Sequence, residues 1–168
     1  MKSLHLIFLL FISFFTSSTQ AQNHGYVLGP NEGEFLGPTR IIKASPKSGS
    51  LNAVMVLDSL LPGFKTTFHI HKKQDEFFYV INGSGTAELD SVKYDIGPGT
   101  VIFVPRGMVH NLSVSNKGPM NLLFFFDRPG VDEWFREAHE KYFSKSLPMT
   151  IEACNQLGVK YGYICIDR

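Results

Sequence analysis

Four residues able to bind a metal or move a proton fall at the ends of short apolar runs: His69, His71, Glu76 and His110. One residue separates His69 from His71. Strand side chains alternate faces, so both imidazoles leave one side while Phe68 and Ile70 leave the other. Lys72 to Asp75 reads as a hairpin tip, and the run over residues 76–81 then places Glu76, Phe78 and Val80 on one face. A carboxylate thereby folds back opposite the histidines. The third imidazole comes from downstream, where a run over residues 100–104 meets a turn stiffened by Pro105 and bent at Gly107 before a strand resumes at His110. Three nitrogens and one oxygen suit one divalent transition metal ion: iron, manganese, nickel, cobalt, copper or zinc. All-oxygen ions such as magnesium and calcium are disfavoured. Two roles stay open for Glu76: it ligates the metal throughout, or it acts as a base toward a substrate hydroxyl.

The spacing has a counterpart. Gly63, His69, His71, Glu76 and Gly83 follow one another with five, one, four and six residues between them. Gly99, Pro105, Gly107 and His110 follow with five, one and two. Both series resemble the two motifs of the cupin superfamily; the second departs from its pattern at Val114, where an asparagine is usual, and that position is no ligand. The resemblance implies an all-β fold, a cupin jelly-roll β-barrel, with His69, His71, Glu76 and His110 on one metal ion. It also implies pairing into a homodimer.

The elements that must position these groups are short strands. Runs at residues 40–43, 52–60, 76–81, 86–89, 100–104, 110–114 and 120–126 are separated by glycine-rich turns such as Asn82-Gly83-Ser84-Gly85. That succession argues for a closed or sandwiched antiparallel sheet. After Pro129-Gly130 the period changes: Val131, Trp134, Phe135, Ala138 and Tyr142 form one helical stripe, with Glu137 and Lys141 paired on the other side. A second short helix at about residues 150–156 ends at Gly158, and residues 159–166 can close the chain as a strand. One or two C-terminal helices therefore pack outside the barrel. The order of these tail elements resembles small bacterial cupins similar to quercetin dioxygenases.

The division expected is a signal peptide over residues 1–21, an N-terminal arm over 22–38, the barrel over 39–127 and a helical extension of the same domain over 128–168. Lys2, an apolar run from Leu4 to Phe15 and small residues up to Ala21 have the layout of a secretory signal, which implies a secreted or periplasmic protein. The chain has 16 Lys and Arg against 15 Asp and Glu, so losing Lys2 leaves 15 of each. Nothing in that balance points to nucleic acid or, once the signal is gone, to a membrane. The only cysteines, Cys154 and Cys165, are either a disulfide suited to an exported protein or two separate buried thiols. His139, off the apolar stripe of its helix, and His24, in the arm, are expected to be ordinary structural histidines. The sequons at Asn82 and Asn111 fall in a tight hairpin and a ligand strand and are read as coincidence.

Alternation from the ligands points Thr67, Phe78, Val80 and Leu112 inward, joined by Phe124 and Phe126. These residues either fill the barrel or line an apolar, aromatic-walled substrate pocket. Arg106, beside the His110 turn, is the nearest candidate partner for an anion. The preferred reading is an exported metal-dependent oxidoreductase, similar to dioxygenases, with Glu76 as its catalytic residue and a small apolar or aromatic substrate. Its alternatives are a non-catalytic small-molecule-binding cupin, or an enzyme of the germin or isomerase type.

Overall fold

The structure, a computed structural model, describes residues 25–168. The signal segment over 1–21, the cleavage position at Ala21 and His24 lie outside the described residues. Among the described residues, eleven strands and two α-helices follow in order: β1 (Glu34–Leu36), β2 (Arg40–Ala44), β3 (Val54–Leu60), β4 (His69–His71), β5 (Glu76–Asn82), β6 (Gly85–Leu89), β7 (Val92–Ile96), β8 (Val101–Val104), β9 (His110–Val114), β10 (Met120–Phe126), α1 (Val131–Lys141), α2 (Ile151–Gly158) and β11 (Tyr163–Cys165).

The strands form a six-stranded sheet in the order β1-β2-β3-β10-β5-β8 and a five-stranded sheet in the order β11-β4-β9-β6-β7. All pairings are antiparallel. The two sheets face one another as a jelly roll without joining into one continuous hydrogen-bonded cylinder. The period of two is clean where it matters. Val54, Val56, Asp58 and Leu60 on β3, Glu76, Phe78 and Val80 on β5, and Met120, Leu122, Phe124 and Phe126 on β10 are all buried between the sheets.

Turn chemistry sets the register of the ligand strands. Gly83 has φ 85°, and a Cβ there would meet the Pro119 carbonyl at 2.4 Å, so the β5–β6 turn accepts only glycine. Gly107, at φ 83°, donates its N–H to the His71 carbonyl at 2.8 Å and ties the turn before β9 to β4.

Two differences from the sequence reading concern strands. β1 lies inside the stretch expected as an arm and extends the six-stranded sheet at its edge. β7 was not anticipated, because its residues are exposed except Ile96 and carry Lys93 and Asp95; it pairs with β6 through a turn in which Asp90 has φ 56°.

Both helices lie beyond the sheets, and α1 turns its apolar stripe inward, burying Val131, Trp134, Phe135 and Ala138. Arg136 fixes this pose by donating to Asp132 and Glu133 on its own helix, to Glu34 on β1 and to Ser45. The Thr150 hydroxyl caps α2 by accepting the Ala153 N–H at 3.1 Å. Cys154 on α2 and Cys165 on β11 form a disulfide with Cα atoms 6.1 Å apart, so the paired alternative holds. That bond anchors β11, whose Tyr163 and Cys165 stand opposite His71 and His69 on β4.

Candidate metal centre and its cavity

β4, β5 and β9 bring their polar residues to one buried point. His69, His71, Glu76 and His110 are between 1% and 6% exposed, and each offers a donor atom within 4.8 Å of the others. His69 and His110 are direct antiparallel partners, with ring centroids 4.1 Å apart.

Backbone carbonyls decide how the rings present themselves. The Thr67 carbonyl lies 2.7 Å from His69 Nδ1, and the Met108 carbonyl lies 3.1 Å from His110 Nδ1. A carbonyl only accepts, so Nδ1 of each ring carries the proton and Nε2 is left with its lone pair. Glu76 Oε2 stands 3.0 Å from His110 Nε2 and 3.1 Å from His71 Nε2. The second approach is close but not aligned for a hydrogen bond, and both ring nitrogens of His71 are buried without a partner. Lone pairs on nitrogen and carboxylate oxygen held 3 Å apart repel unless a proton or a metal cation lies between them. The orphaned His71 nitrogens and this acceptor-to-acceptor approach both fit a bound cation, and three imidazoles with one carboxylate form a suitable donor set.

Burial pushes the Glu76 carboxyl up, yet the positive charge that His71 and His110 carry when protonated outweighs it and holds the group at about 2. A cation in place of those protons would act on the carboxylate in the same sense. Burial, followed by the neighbouring His110 and His71, drives His69 well below the ordinary imidazole range. Folding thus favours an ionised Glu76 and a neutral His69, two of the conditions a metal sets for its ligands.

Beside the cluster lies a cavity of about 500 Å³ between the sheets, closed on one side by α1. Thr67, Phe78, Leu112 and Phe124 line it, whereas Val80 and Phe126 do not and are fully buried in the core. Phe126 instead meets His71 edge-on, centroids 5.0 Å apart. Tyr163 forms a wall next to the ligands. Its ring lies against Trp134 at 3.9 Å and 13° and is also stacked with His69 at 4.8 Å and 18°. Burial and then the Glu76 charge raise its phenol above the usual range.

Several residues of the cavity were not found from sequence. Arg40 and Asp58 belong to its lining, paired by Nε and Nη2 donating to Asp58 Oδ2 at 2.9 and 2.6 Å. The guanidinium lies over the rings of Phe135 at 4.5 Å and Phe124 at 5.8 Å. A signal for Asp58 existed: it occupies the inward phase of Val54, Val56 and Leu60. His139, read as an ordinary helix histidine, is half-buried and reaches the cavity wall beside Gly37. Arg106 is corrected in the other direction. It is exposed, donates to Asp75 and Asp127, and takes no part in the cavity lining.

Comparison with known proteins gives the same architecture. Residues 56–126 match the cupin domain family. An uncharacterised protein of Methanocaldococcus jannaschii is 28% identical over 67 residues, covering 39% of this chain and 54% of that protein. Protein SchB of Streptomyces halstedii is 24% identical over 88 residues, covering 52% of this chain and 64% of SchB. The chain thus spans just over half to under two thirds of these relatives' lengths. Among solved structures, a cupin protein from Bacteroides fragilis superposes with a TM-score of 0.53 at 16% identity, over 65% of this chain and 87% of that one. That likeness speaks to the fold alone.

Proposed function

We propose that this chain, whose residues 56–126 match the cupin domain family, is a metal-dependent oxidoreductase of the dioxygenase kind acting on a small apolar or aromatic molecule. The observation that carries this reading is His71, whose buried ring nitrogens have no hydrogen-bond partner although Nε2 stands 3.1 Å from Glu76 Oε2, at the end of an aromatic-walled cavity. His69, His71, Glu76 and His110 would hold the ion. When bound, the ion supplies Lewis acidity toward a substrate hydroxyl and electron exchange with oxygen.

The chain's own groups do the rest. Glu76 accepts the hydroxyl proton of the substrate at Oε2, and the Thr67 and Met108 carbonyls keep the His69 and His110 rings in one orientation. Phe78, Phe124 and Trp134 offer flat apolar surface to the substrate and limit the water around it.

Export to a secreted or periplasmic location belongs to the same proposal, supported by the Cys154–Cys165 disulfide, a bond that persists in oxidising compartments. Pairing of two copies is also proposed. The outer face of β5 and β8 supports it by exposing Phe77, Tyr79, Ile81, Val101 and Phe103 side by side.

Elemental analysis of the purified protein, followed by oxygen uptake with a polyphenol, tests the activity. About one transition metal ion per chain and metal-dependent oxygen consumption are the expected results. A metal-replete protein that consumes no oxygen across a polyphenol panel would remove the oxidoreductase assignment.

A further inference from the structure

The cavity has a second polar pole, and its chemistry selects the substrate's far end. Arg40 spends Nε and Nη2 on Asp58 Oδ2. Among the described residues, Arg40 Nη1 and Asp58 Oδ1 make no hydrogen bond, and unlike the orphaned Trp134 Nε1 they are not sealed from solvent. Asp58 is 2% exposed, and its only ionic partner among the described residues is Arg40. A buried carboxylate and guanidinium in contact are jointly neutral, so the pole offers one donor edge and one acceptor edge with no net charge.

The spacing between poles follows from the register of β10. Phe126 stands opposite both Glu76 and Val54, and Leu122 stands opposite Asp58. Four residue steps along β10 separate the two backbone rows, about 13 Å at ~3.3 Å per residue. Phe78, Leu122 and Phe124 fill the interval with apolar surface. A metal–oxygen bond of ~2 Å at one end and a hydrogen bond of ~3 Å at the other leave room for a body about two fused rings long.

We propose that the Arg40–Asp58 pair is a substrate-recognition site for an uncharged donor–acceptor group, such as a carboxamide or hydroxyl, on a flat molecule whose other end carries the hydroxyl that meets the metal cluster. This rests on the reading of His69, His71, Glu76 and His110 as the metal-binding end. Carboxylates and phosphates are rejected at the far pole: Asp58 already neutralises Arg40, and an added anion would face the free Oδ1.

The test uses 6-hydroxy-2-naphthamide and 6-hydroxy-2-naphthoate, which share one body and differ in charge at one end. Their dissociation constants are measured by titration calorimetry on the metal-loaded protein. The amide is expected to bind at least ~10-fold more tightly than the carboxylate, a preference of the size set by one unpaired or repelled polar group. Asp58→Asn, which frees the guanidinium, should invert the order. Equal affinities, preference for the naphthoate, or binding of neither probe by the native protein would overturn the proposal. If Asp58→Asn does not fold, the native comparison still decides. Repeating both titrations on His110→Ala, with its metal content measured, separates the two readings. An amide preference surviving in a chain that never held metal leaves the far pole standing and removes the metal-binding end; a metal-replete native protein blind to the charge of the probe does the reverse.

Discussion

Tyr163 lies nearly parallel to His69, ring centroids 4.8 Å apart at 18°, and the Trp134 ring packs against it at 3.9 Å. An aromatic residue from β11 thus braces an imidazole of the candidate metal centre. Its hydroxyl has no hydrogen-bond partner among the described residues, so the ring rather than the oxygen holds the wall together. Tyr163→Phe should change stability by no more than about 0.5 kcal/mol, whereas Tyr163→Ala should cost about 3–5 kcal/mol. Urea denaturation of the two variants checks this, and a large loss for the phenylalanine variant would mean that the hydroxyl has a structural role.

Removing an imidazole from the cluster acts on the metal before it acts on the fold. His71→Ala and His110→Ala should each weaken metal binding beyond the ~10–100-fold that follows loss of an outer hydrogen-bond partner. Metal content after dialysis against a chelator is the measurement. Full occupancy in either variant would contradict the assignment.

Glu76→Gln keeps the shape of the side chain and deletes its charge. Most of the metal should be retained, with turnover lowered about 100-fold or more, as for loss of a general base. Unchanged turnover would take Glu76 out of the proton step.

The disulfide can be read through stability. Cys154 and Cys165 are 11 residues apart, and closing so short a loop is worth about 3 kcal/mol on the chain-entropy account. Replacing both with alanine, or unfolding under reductant, should lower the urea midpoint accordingly. Because β11 pairs with β4, the near-ultraviolet signal of Trp134 and Tyr163 should change at lower denaturant than the far-ultraviolet signal. Coincident transitions would show that β11 is held without the bond.

Glu137 joins α1 to the segment after α2. Lys141, Lys160 and the Tyr161 hydroxyl hydrogen-bond or pair with its carboxylate and hold it down at about 2, against 4.5 for an unperturbed glutamate. A carboxyl lowered by folding stabilises the protein above its unfolded value and loses that contribution as pH falls. Melting temperature should therefore drop as pH goes from about 4.5 toward about 2, less steeply in Glu137→Gln. Identical slopes for the two proteins would show that the contact contributes nothing to acid stability.

The four metal-binding candidates were legible because each is fixed by its neighbours in sequence: alternation aligns His69 with His71, and Pro105 and Gly107 aim His110. Thr67, Phe78, Leu112 and Phe124 followed from the same alternation. Arg40, Trp134, His139 and Tyr163 were not legible as parts of the cavity, since their place depends on how β2, α1 and β11 dock, and docking is decided by contacts far apart in the chain. The stripe on α1 announced a buried face without saying that it would close a chamber. Val80 and Phe126 point inward as alternation requires, yet tight packing on all sides keeps them from the cavity.

The match to the cupin domain ends at Phe126, and Arg40, Trp134, His139 and Tyr163 all lie outside it. The shared span therefore carries the groups that could hold an ion, while segments before and after it supply much of the cavity beside them. The two parts can change independently: a homologue aligned only over that span would inherit the candidate ligand set and still enclose a differently shaped cavity.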